Sequence, residues 1–121
     1  MVKLTFKNGL IPVATQDYET GEVLMIAFMN NEAFELTQQT GCVHYWSRTN
    51  ERVWKKGEVS GHFQWVKEIL VDCDGDALVI KVDQVEAACH TGFRSCFFRT
   101  IEGKTIGEKV FDPAKVYKES T

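Results

Sequence analysis

Apolar and polar positions along the chain fall into short blocks rather than one long periodic run. "TFKNGLIPVAT" (5–15) reads as a short strand and an Asn8-Gly9 turn, with Pro12 confining the strand to a sheet edge because proline donates no ladder hydrogen bond. "GEVLMIAFMN" (21–30) is evenly apolar, and its shortness and the turn residues before it predict a buried strand. The next block changes period. Asn30 or Asn31 is placed to cap a helix through "EAFELTQQT" (32–40), with Ala33, Phe34 and Leu36 on its apolar stripe and Gly41 at the expected left-handed end.

Three later segments, "CVHYWSR" (42–48), "FQWVKEILVDC" (63–73) and "ALVIKVDQV" (77–85), are rich in aromatic and β-branched residues and predict strands. Between the first two lies the polar "TNERVWKKGEVSGH" (49–62), a surface excursion or a binding loop. "EAACHTGFRSCFFRTIEG" (86–103) predicts a Cys-His and Thr-Gly turn before a basic, aromatic strand, and a hydrophilic tail then runs to Thr121. No repeat or linker interrupts this order. The expected architecture is one small, β-rich α+β domain over residues 1–121, with one main helix.

Composition narrows the function classes. With 44% apolar and 26% charged residues the chain is globular rather than disordered. A net charge of −3 argues against nucleic acid or an anionic membrane as partner, since both require concentrated Lys and Arg. No apolar run approaches the roughly 18 residues of a membrane span, and the first residues lack a signal-peptide core, so a cytoplasmic location is expected. In that reducing setting Cys42, Cys73, Cys89 and Cys96 point to thiolate or metal chemistry more than to disulfides.

Three groups of residues carry candidate chemistry. Asp72, Asp74 and Asp76 offer hard oxygens suited to Mg²⁺, Mn²⁺ or Ca²⁺. On an extended strand they would spread over roughly 13 Å, so the backbone must curl, and Gly75 is where it can. An EF-hand is excluded by Ala77 and Asp83 at its sixth and twelfth positions; an acidic turn beside a strand remains the plain alternative. Cys73, Cys89 and Cys96, with His90, offer soft ligands for Zn²⁺, and three ligands would leave an open position for water. Their spacing matches no short zinc-finger template, so tertiary or quaternary structure would have to gather them. Cys42 reads as a small buried hydrophobe. His90 is a fourth ligand or a base near the metal, whereas His44 and His62 also read as surface or strand-face residues. Arg48, Arg52, Lys55, Lys56, Arg94 and Arg99 form a basic group that binds phosphate or simply faces solvent.

Taken together, "SRTNERVWKKGEVSG", "DCDGDAL" and "ACHTGFRSCFF" resemble, in order and spacing, the phosphoribosyl-AMP cyclohydrolase family of histidine biosynthesis, over roughly Leu24 to Phe98. Val59 stands where that family's loop has threonine, and Glu86-Ala87 where a glycine precedes its A-C-H. The resemblance implies that Cys73, Cys89 and Cys96 bind Zn²⁺ and that Asp72, Asp74 and Asp76 bind Mg²⁺. It implies an intertwined homodimer whose zinc sites are shared between subunits. The activity implied is hydrolytic opening of the adenine ring of 1-(5-phosphoribosyl)-AMP by zinc-activated water; beside it, we expect His90 or His62 to move protons and Mg²⁺ to meet the substrate's phosphate, with Arg48, Lys55 and Arg94 in support. The rival from another class is a non-catalytic, zinc-stabilised interaction domain with His90 closing the tetrahedron. A zinc nucleobase deaminase is disfavoured because its H-x-E and P-C-x-x-C signature is missing.

Overall fold

Alternation along two segments decides which face of the sheet is covered. In Ile11–Asp17 (β1) every second residue, Ile11, Val13, Thr15 and Asp17, is buried, and in Leu78–Gln84 (β6) the same holds for Leu78, Ile80, Val82 and Gln84. The computed structural model describes residues 1–117. Val23–Met29 (β2), His44–Ser47 (β3), Arg52–Lys55 (β4) and Gln64–Val71 (β5) complete a six-stranded sheet in the order β4-β3-β2-β1-β6-β5. β1 and β6 run parallel, from Val13↔Leu78 to Asp17↔Val82, and every other pair is antiparallel.

The covered face packs on the helix Asn31–Thr40 (α1). The Asn30 side chain accepts from Ala33 N–H at 2.8 Å, and Gly41, at φ 76°, donates to Thr37 O. Both ends are where the sequence predicts them. The buried stripe is Ala33, Phe34 and Thr37, with Leu36 only half-buried. Thr37 is buried because its hydroxyl donates to Ala33 O and accepts from His44 N–H at 2.9 Å, tying the helix to β3. The opposite face of the sheet has little cover. Pro12, Ala14, Ile26, Phe28, Leu70 and Val79 share it by register, and Ile26 is 58% exposed.

Three expectations are corrected. Pro12 lies in β1, at the middle of the sheet, because the ladder to β6 starts one residue later at Val13 and the missing N–H breaks no bond there. The polar segment 49–62 contains β4, paired with β3 from His44↔Lys55 to Ser47↔Arg52, so four strands rather than three follow the helix. Residues 93–99 form no strand. The rings of Phe93 and Phe98 stack at 4.1 Å, which folds the chain back on itself, and isolated bridges Phe93↔Lys109 and Arg99↔Thr105, with Ile106 N–H to Phe98 O at 2.7 Å, tie this segment to later residues. The expected hydrophilic tail holds a single turn of helix, Pro113–Val116 (α2), and its last residues, 118–121, lie outside the described residues. Among the described residues no helix is long and apolar enough to cross a membrane.

Candidate active site

A buried line of polar side chains runs across the sheet to the Cys-His turn. Thr15 donates to the Tyr45 hydroxyl, which donates to Gln64 Oε1, both at 2.6 Å, and Gln64 Nε2 donates to Gln84 Oε1 at 2.8 Å. Gln84 Nε2 then faces the carbonyls of Val85 (3.0 Å), His62 (3.3 Å) and Ala87 (3.3 Å). Burial pushes the Tyr45 phenol pKa up, so the hydroxyl stays protonated and keeps donating. Each member is satisfied, as an interior polar network must be to stabilise rather than cost. The network ends two residues before Cys89.

The turn itself is closed by Ala88 N–H to Arg94 O (2.8 Å) and Cys89 N–H to Phe93 O (3.3 Å). Arg94 braces it from below: its guanidinium bonds the Asp17 carboxylate and the Glu86 carbonyl, the latter at 3.0 Å. Burial alone would raise the Asp17 pKa, but Arg94 and the N–H groups of Thr20 and Glu19 outweigh it and leave the group below the usual carboxylate range. The turn brings Cys89 and Cys96 together. Burial, reinforced by Cys89, pushes the Cys96 thiol up to about 11. Lys56 Nζ donates to Ala88 O; burial lowers its pKa, while the two neighbouring cysteines oppose that shift. Cys42 is fully buried, as expected of a core thiol.

Beside this turn opens a cavity of about 390 Å³, walled by Trp54, Lys55, Lys56, Ser60, His90 and Tyr117 among others. Of the expected site residues, His90 and three of the basic group, Arg52, Lys55 and Lys56, line it. The others stand elsewhere. Arg48 lies over the Phe28 ring at 4.3 Å, and Arg94 is taken up by Asp17 and backbone carbonyls. His62 sits edge-on to Phe111 at 4.7 Å, with its Nδ1 buried and unbonded and its pKa lowered by burial. Trp54 reads from the sequence as a packing residue; it does pack on Tyr45 at 5.2 Å and also lines the cavity, whereas the sequence does not single out Tyr117 or favour Lys56 over Lys55. Recognising β4 would have drawn out Trp54; nothing in the sequence marks Tyr117.

The aspartates form a separate, exposed loop. Gly75 takes φ 75°, and a Cβ there would lie 2.8 Å from Lys3 O, so only glycine fits. Asp72 Oδ1 accepts from the N–H groups of Asp76 (3.0 Å) and Ala77 (3.2 Å), which curls the backbone as the sequence requires. One oxygen from each of Asp72, Asp74 and Asp76 lies within 4.8 Å of the others. Asp76 and Asp72 raise the Asp74 pKa, whereas Lys7, 3.0 Å from Asp76, lowers that of Asp76. Three carboxylate oxygens gathered this closely have the hard-ligand chemistry that would hold a dication. Cys73, in the middle of this loop, is exposed, and the three candidate thiols are not gathered within one chain. Cys89 and Cys96 meet, whereas Cys73, exposed like Cys96, stands apart.

Comparison with known proteins adds an independent line. Residues 25–98 match the family model described as phosphoribosyl-AMP cyclohydrolase. The chain is 62% identical to the phosphoribosyl-AMP cyclohydrolase of Methanocella arvoryzae over 98% of its own length and 99% of that relative. It is 63% identical to that of Methanococcoides burtonii over 91% of both chains, and 60% identical to that of Methanoregula boonei over 97% of this chain and 96% of the other.

Proposed function

The chain belongs to the phosphoribosyl-AMP cyclohydrolase family, hydrolases acting on a cyclic amidine, and we propose that it opens the adenine ring of 1-(5-phosphoribosyl)-AMP with water, the third step of histidine biosynthesis, in the cytoplasm. The observation that carries this reading is the meeting of two thiols beside a cavity that the half-buried Lys56 and the exposed His90 line. A domain that used zinc only for stability would need no cavity beside it, which is why the interaction-domain reading ranks second.

Cys89 and Cys96 would hold Zn²⁺ together with Cys73 from a second copy of the chain. The sparsely covered sheet face, on which the apolar Ile26 and Leu70 are exposed, supports such pairing, since exposed apolar patches mark interaction surfaces. Zinc held by thiolates would supply a water ionised near neutral pH. Asp72, Asp74 and Asp76 would hold Mg²⁺, relieving the mutual repulsion of the carboxylates and offering the substrate's phosphate a dication.

The chain's own groups do the rest. Lys55 and Lys56 place positive charge on the cavity wall, where phosphate and developing negative charge are stabilised. Trp54 gives the purine a flat apolar neighbour. His90, exposed on the wall, would take a proton from water and return it to the departing ring nitrogen. His62 has less access, being packed under Phe111.

The test is ring opening of phosphoribosyl-AMP followed by absorbance, with and without chelator and with Zn²⁺ or Mg²⁺ restored. Chelation should abolish turnover with the fold retained; unfolding on metal loss would instead favour the zinc-stabilised interaction domain. His90→Ala should lower kcat about a hundredfold or more, and turnover within a few-fold of wild type would remove His90 from the mechanism.

A further inference from the structure

The segment Phe111–Tyr117 lies beyond the residues matched by the family model, yet it crosses the heart of the site. It is pinned in two places. Val110 N–H donates to Gly92 O at 2.8 Å, and Gly92, at φ 108°, approaches so closely that a Cβ would sit 2.9 Å from Phe111 O. Downstream, the Asp112 side chain accepts from Ala114 N–H, Pro113 fills the first helical position, and Tyr117 N–H donates to Pro113 O at 2.9 Å. These contacts fix where the two rings of the strap fall. Phe111 lies edge-on to His62, and Tyr117 stands perpendicular to the His90 ring at 6.5 Å while lining the cavity. Phe111 and Tyr117 also meet at 6.3 Å, so four rings form one chain from His62 to His90.

His90 is exposed, and Tyr117 is its one ring contact among the described residues. An exposed imidazole on a turn samples several rotamers unless something restrains it. We propose that Tyr117, carried on the strap Phe111–Tyr117, is a positioning residue that holds the His90 ring against the cavity wall and closes that wall beside the substrate's base. Edge-to-face contact at this separation favours one ring orientation. Gly92 is glycine because the strap passes directly over it. This inference rests on the ring-opening reading for its kinetic consequence, but the contact it assigns does not.

Two measurements on the full-length, metal-loaded protein test it. Replacing Tyr117 with Ala should lower kcat/KM for phosphoribosyl-AMP about tenfold or more, mostly through kcat, and should shift the His90 ring-proton resonances, with zinc content unchanged. Tyr117→Phe, which keeps the ring, should stay within about threefold of wild type. Should Tyr117→Ala melt early, Tyr117→Leu keeps the bulk without the aromatic edge and should show the same kinetic loss and resonance shift. The proposal is overturned by activity within about twofold of wild type in a folded variant lacking the ring, by unmoved His90 resonances, or by Tyr117→Phe failing as badly as Tyr117→Ala. An inactive wild type whose His90 resonances still move with Tyr117→Ala would sink the ring-opening reading and leave the strap contact standing.

Discussion

The aspartate loop and the Cys-His turn solve the problem of placing charged or reactive groups in opposite ways. Residues 72–76 gather three carboxylates within one short stretch, on the surface, with one glycine and the chain's own N–H groups curling the backbone. The turn at 87–96 gathers two thiols only because a buried polar network, an Arg94–Asp17 pair and a lysine from the neighbouring hairpin converge on it. The first site is local and cheap to build; the second is an outcome of the whole fold.

That contrast predicts a gradient of damage. Cys96→Ala should abolish zinc retention and cost about a thousandfold or more in turnover with little change in far-ultraviolet circular dichroism. Metal analysis and the absorbance assay check this, and retained zinc would place the soft site elsewhere. Asp17→Asn lies far from Cys96 in sequence but should still injure the turn, destabilising the protein by about 2 kcal/mol at neutral pH in urea titrations, the scale of hydrogen bonds to a charged partner. Because the folded Asp17 pKa is depressed, its contribution is complete above about pH 4 and is lost as pH falls through the lowered value. The variant's stability should therefore vary less with pH in that acid range than wild type's.

Gly75→Ala sharpens the other side of the comparison. The left-handed backbone and the 2.8 Å approach to Lys3 O should cost about 1–2 kcal/mol in urea midpoint and weaken Mg²⁺ binding, while zinc content stays constant. Loss of zinc in this variant would show that the two sites are built as one. The smallest effect is expected at Asp74→Asn: KM for phosphoribosyl-AMP should rise about tenfold and recover partly at high Mg²⁺, and an unchanged KM would count against a phosphate role for the loop.

The same contrast explains what the sequence could tell. The helix was legible from Asn30 and Gly41, and the aspartate curl from Gly75, because each is decided by residues within a few positions of one another. β4 was hidden because it is an edge strand: Arg52 and Lys55 keep the sheet's rim soluble and make a strand look like a loop. Pro12 misled for the complementary reason, since whether a missing donor matters depends on which neighbour is already paired at that position. Arg94 looked like a phosphate ligand from its place beside the Cys-His pair; its partner Asp17 stands at the end of β1, invisible to any reading of nearby spacing. Lys56 and Tyr117 reach the cavity through tertiary contacts that no short motif encodes.

The parallel pairing of β1 with β6 has a kinetic consequence. Val13 meets Leu78 more than half the chain later, and the strands between them cannot close the sheet until that long loop has been drawn together. Such non-local pairing slows folding. Since the Cys-His turn hangs directly from the end of β6, a chain emerging from the ribosome can present a curled aspartate loop early, but reactive cysteines reach their places only when the last strand docks. Assembly of the proposed soft metal site would then report the completion of folding itself.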